Sequence, residues 1–79
     1  MRFIKEIPNN YCQTSLYSFN NKYIIKFEAG LMEQAFKVSE LDVTGQEEVE
    51  EMINEEFLKK VIERFKGMQA DFEEALFGY

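Results

Sequence analysis

The chain has 79 residues, a net charge of −6, no histidine and one cysteine, with hydrophobic residues at 46% and aromatics at 15%. A chain this short has room for a single core, and burying only roughly 60% of its unfolded surface gives modest stability. The composition excludes an apolar-poor disordered chain, a disulfide scaffold, because Cys12 has no partner, and any catalysis or zinc binding that needs imidazole.

Charge is unevenly placed. Residues 1–40 hold five Lys/Arg and four Asp/Glu, a balance of +1, whereas residues 41–79 hold four Lys/Arg and eleven Asp/Glu, a balance of −7. Binding to a phosphate backbone depends on clustered cations that displace counterions, so no nucleic-acid partner is expected.

The chain opens Met1-Arg2-Phe3-Ile4-Lys5-Glu6-Ile7-Pro8. Its charges leave no apolar segment of signal-peptide type, and no stretch nears the ~20 apolar residues of a membrane span. A cytoplasmic protein with no membrane partner is expected. Residues 3–7 fit a fourth strand at the sheet edge, ahead of Pro8.

Residues 11–19 alternate with the period of two typical of a half-buried strand. Tyr11, Tyr17 and Phe19 lie on one side and Cys12, Thr14, Leu16 and Ser18 on the other. Asn20-Asn21 is a turn signal, because asparagine tolerates the positive φ of a tight hairpin. A three-residue loop sets Tyr17 and Phe19 beside Tyr23 and Ile25, and a two-residue loop flips them. Residues 22–28 alternate Tyr23, Ile25 and Phe27 against Lys22, Ile24, Lys26 and Glu28. A second turn at Ala29-Gly30 faces Glu28 with Leu31. That register sets Phe27 against Met32, Tyr23 against Phe36, and Lys26 against Glu33, an opposite-charge cross-strand pair.

The second half reads as helix. Thr44-Gly45-Gln46-Glu47 fits the capping box, and acidic residues crowd the first turns, where the helix dipole favours them. Glu55–Lys59 and Glu56–Lys60 are i,i+4 pairs in the favourable order. Val49, Met52 and Ile53 point one way at 100° per residue, while Phe57, Leu58, Val61, Ile62, Phe65, Met68, Phe72 and Leu76 point well away from them. With Asn54 as an N-cap between the two sets, a short helix near residues 45–53 and a long one to about Leu76 are expected, with one curved helix as the alternative. Gly67 weakens the long helix without ending it.

The predicted fold is therefore α+β. Three antiparallel strands in meander order, with the N-terminal segment as a fourth, precede a short acidic helix and a long C-terminal α-helix packed on one sheet face. The candidate core is Tyr23, Ile25, Phe27, Met32, Phe36, Val38, Phe57, Val61, Phe65, Met68 and Phe72.

Few residues invite chemistry. The four glycines are too far apart for a phosphate-binding loop. Glu47, Glu51 and Glu55 share a helix face, but the alternating donor order of an EF-hand loop is missing, so they read as a solvated face. Cys12 has Tyr11 and Gln13 as neighbours, neither of which lowers a thiol pKa. Strand aromatics can stack on single-stranded bases in sheets that also carry flanking Lys/Arg, but the acidic second half argues against that use here. No catalytic residue, cofactor or metal is expected. Because apolar residues fall on both strand faces and one helix covers one face, Tyr11, Tyr17, Phe19, Phe77 and Tyr79 are the expected interaction surface. A non-enzymatic interaction or assembly module, homodimeric or bound to another protein, is the leading expectation. A small-ligand or regulatory domain with a pocket between sheet and helix, and an acidic protein that binds a basic partner, are the alternatives.

Overall fold

Alternation in the first half and helical spacing in the second both appear in a computed structural model, which describes residues 1–78. Strands β1 (Arg2–Glu6), β2 (Gln13–Phe19), β3 (Lys22–Ala29) and β4 (Met32–Ser39) form one antiparallel sheet in the order β1-β2-β3-β4. A 3-10 turn at Glu40–Asp42, helix α1 (Gln46–Met52) and helix α2 (Glu55–Phe77) follow. The N-terminal segment is thus a strand, paired with β2 through a register shift between Phe3 and Lys5.

Turn chemistry sets both hairpin registers. Asn20 and Asn21 have φ of 49° and 62° and form a two-residue loop that pairs Phe19 with Lys22. Two consecutive positive φ values are the type I′ turn, whose twist matches the strands it joins. Leu16 therefore lies beside Ile25, and Tyr17 beside Ile24.

The second turn corrects the expected register. Its loop is Gly30-Leu31, with Ala29 opposite Met32, so that Phe27 pairs with Gln34 and Ile25 with Phe36. Gly30 has φ of +61° and Leu31 does not, the type II′ pattern that wants glycine at the first loop position. The pairing slides by two residues, which keeps every side chain on its expected face. Lys26 sits opposite Ala35 but still reaches Glu33 diagonally, at 3.7 Å.

The inner face carries Thr14 and Leu16 from β2, Tyr23, Ile25 and Phe27 from β3, and Met32, Gln34, Phe36 and Val38 from β4. The fully packed core joins Leu16, Ile25 and Phe27 to Val49 and Ile53 around α1 and to Leu58, Val61 and Phe65 of α2. Both helices point into one core only because the chain breaks between them. Ile53 and Leu58 are about 140° apart on a straight helix, and the break at Ile53-Asn54 brings both inward. Asn54 caps α2, its side-chain carbonyl accepting the Phe57 amide at 2.9 Å. The expected capping box is displaced by one residue. Gly45 occupies the N-cap and has no side chain to offer, so Glu48, three residues on, reaches back and accepts from both the Thr44 amide and hydroxyl at 2.9 and 2.7 Å.

Two expected core residues are exposed: Phe36 at 41% and Phe72 at 58%. Phe36 lies on the last strand of the sheet, with no neighbour beyond it. Phe72 lies beside the β3–β4 turn in an open groove that leaves its ring uncovered; beyond it α2 runs on, 23 residues spanning about 34 Å against about 27 Å for an eight-residue strand.

Candidate interaction surface

The five residues singled out in the sequence are not brought together. Tyr11 lies in the β1–β2 connection, half-buried, and its hydroxyl donates to a Glu55 carboxylate oxygen at 2.7 Å. That bond ties the connection to the first turn of α2. Tyr17 lies on the outer sheet face, edge-to-face with Phe3 at 5.6 Å, with the Lys26 ammonium 5.1 Å from its ring centre. Phe19 ends β2 on the same face and is 48% exposed. Phe77 closes α2 at the opposite end of that helix from Tyr11. Tyr79 lies outside the described residues.

The outer face needs less cover than its apolar content suggests. Ile24 is 3% exposed although no helix lies over it. Its cross-strand neighbours on that face are Tyr17 and Lys37, a ring and a long aliphatic stem of the kind that covers an adjacent apolar side chain. Phe3 and Phe19 remain the open rings of this face.

The larger apolar exposure lies elsewhere, along β4 and α2. Phe27, Phe36 and Phe57 form a triangle of edge-to-face contacts with centroids 5.9, 5.8 and 5.7 Å apart. Phe27 is fully buried beneath it, whereas Phe36 opens to the surface. Two open grooves meet at Phe36 and Phe57. One, of about 340 Å³, continues over Val38 and Met52, and the other, of about 480 Å³, runs past Gln34, Ala35, Lys60 and Arg64. A third, of about 520 Å³, lies between the β3–β4 turn and the last turns of α2. Leu31 stands wholly exposed beside it, and Phe72 and Leu76 are more than half exposed. Met52 and Phe36 were legible as apolar positions of their elements; their meeting at one edge was not.

That edge is also the open edge of the sheet. β1 has five residues, an irregular register and Pro8 just beyond, the features that blunt an edge strand. β4 has eight residues in unbroken register and no proline. Its exposed Glu33, Ala35 and Lys37 alternate with inward residues, and Gln34 donates a side-chain bond to the Val61 carbonyl at 3.0 Å, which ties the strand to α2.

Among the described residues no group of three or more His, Cys, Asp or Glu is placed to hold a metal ion. No helix of the described residues is long and apolar enough to cross a membrane. Cys12 is half-buried, its sulfur 3.7 Å from the Thr14 hydroxyl.

Three titrating groups tie the elements together and predict the pH profile. Glu48 is held below the usual carboxylate range by the Thr44 amide and hydroxyl, and Glu50 by hydrogen bonds from Lys5 and Gln46. A carboxylate depressed by folding contributes stability above its unfolded pKa and loses it as pH falls through the folded value. Tyr11 is raised above its usual value, first by its bond to Glu55, then by burial and the Glu55 charge. That contribution is present below about pH 10 and fades as pH rises further. Melting temperature should fall at both extremes. Glu48→Gln and Glu50→Gln should flatten the acid limb and Tyr11→Phe the alkaline limb; unchanged limbs would exclude these groups as the cause.

Comparison with protein-family models, with curated proteins and with solved structures gives no match.

Proposed function

We propose that this chain is a non-enzymatic assembly module that acts by pairing with a second copy of itself in the cytoplasm. The observation that carries this reading is the coincidence of a long sheet edge in unbroken register with an apolar shelf. Exposed backbone along β4 is a template for another strand, and Phe36, Phe57 and Met52 lie beside it on the inner side. Two-fold pairing is the commonest way a small domain covers such a surface. The grooves are open and shared between sheet and helix, which fits a broad protein contact better than an enclosed ligand pocket.

Sedimentation velocity across a series from low to high micromolar protein tests the reading. A monomer–dimer equilibrium is expected, with the dimer fraction rising with concentration. A strict monomer throughout would reject self-assembly.

A further inference from the structure

We propose that the second copy docks antiparallel along β4, on a two-fold axis through Ala35, making one continuous eight-stranded sheet; this rests on the assembly reading above. The hairpin pattern dictates which backbone groups are available. Asn21 accepts the Glu40 amide at 3.0 Å, so residues whose pair numbers step by two from it (Tyr23–Val38, Ile25–Phe36, Phe27–Gln34) are the hydrogen-bonded pairs of β3 and β4. The intervening residues, Glu33, Ala35 and Lys37, therefore direct their amides and carbonyls away from β3 and into the open.

Side-chain charge then selects the register. An axis through Glu33 sets two carboxylates face to face, and one through Lys37 sets two ammonium groups face to face. An axis through Ala35 places Glu33 opposite the partner's Lys37 and Lys37 opposite the partner's Glu33, two opposite-charge pairs generated by one symmetry operation. Lys26, already 3.7 Å from Glu33, extends each pair into a three-charge ladder on the outer face. The alanine at the centre is small enough for two copies to meet. On the inner face the same register sets the two Phe36 rings at diagonal positions across the axis, within reach of one another, and so covers the half-exposed ring of the phenylalanine triangle. α2 runs antiparallel to β4, its start near Val38 and its end near the β3–β4 turn. The axis consequently lays the two long helices side by side on one face of the sheet.

The test is a charge exchange read by sedimentation, with circular dichroism to show that each variant folds. Glu33→Lys and Lys37→Glu should each weaken self-association, roughly 10- to 100-fold, because each turns two attractive pairs into two repulsive ones. An equimolar mixture of the two variants should restore association as a heterodimer, since every facing pair is again opposite in sign. In a Cys12→Ser background, Ala35→Cys should cross-link between copies through a short bifunctional thiol reagent, because directly opposed residues of a hydrogen-bonded pair lie about 5.5 Å apart between Cα atoms. A wild-type dimer whose affinity ignores both reversals, and whose Ala35→Cys form does not cross-link, overturns the β4 interface while leaving self-association intact. A wild-type monomer removes the assembly reading and this interface with it.

Discussion

Phe27→Ala is expected to leave the chain only marginally folded. Phe27 is 0% exposed and packs edge-to-face on both Phe36 and Phe57, between its cross-strand neighbours Thr14 and Gln34 on the inner face. Removing a buried phenylalanine side chain costs about 3–5 kcal/mol, as lost transfer energy plus a cavity that the surroundings only partly fill. A domain of this length holds in total roughly 4–12 kcal/mol. The gap left by Phe27 is bounded by rings from β4 and α2, so collapse there requires the helix to move against the sheet. The check is a denaturant titration at one fixed protein concentration, because self-association would otherwise shift the midpoint. A loss under about 1.5 kcal/mol would mean that the triangle is not the hub of the core. Phe36→Ala should cost less in the monomer, since 41% of that residue is already in water.

Asn9→Ala should have the next largest effect, although Asn9 lies in a connection between strands. Its amide nitrogen donates to the Ile7 carbonyl at 3.0 Å and to the Thr14 hydroxyl at 2.9 Å. Its amide oxygen accepts from the backbone of Tyr11 at 2.9 Å and of Cys12 at 3.1 Å. One side chain thus satisfies four groups of a part-buried turn, among them the hydroxyl of Thr14, which is 1% exposed. Alanine leaves these groups to partial hydration, at a cost of about 2–3 kcal/mol. Asn9→Asp separates the two halves of the fork, because it keeps the acceptor for the two amides and loses both donated bonds. It should fall between wild type and alanine. Equal stabilities for Asn9→Ala and wild type would show that water replaces the asparagine without loss.

Local chemistry was legible wherever the cause is local. The two asparagines at positions 20 and 21 announced a turn, and the opposed directions of Val49–Ile53 and Leu58–Phe65 announced a break that Asn54 caps. The register of the second hairpin lies two residues from the one its pattern predicts, because Ala29-Gly30 and Gly30-Leu31 both contain the glycine; only its φ shows which loop position it fills. Leu16 was absent from the expected core for a related reason. Its side of β2 becomes the inner face only if the first loop has two residues, and strand alternation alone is indifferent to that choice.

The candidate surface was less legible than the fold. Exposed and covered aromatics look alike in a sequence. Tyr17 is covered on the outer face by Phe3 and Lys26, and Tyr11 is engaged with Glu55, while Phe36, which reads as a core position, stands open at the sheet edge beside the exposed Met52.

The amino-acid order by itself determined the α+β class, the strand and helix identities and the helix break, because hydrophobic period, turn propensity and capping act within a few residues. Tertiary structure alone decided which strand face meets the helices, which edge of the sheet stays open, and how far α2 overruns it. Those outcomes depend on residues far apart in the chain reaching one place, and no short-range pattern encodes the distance between them.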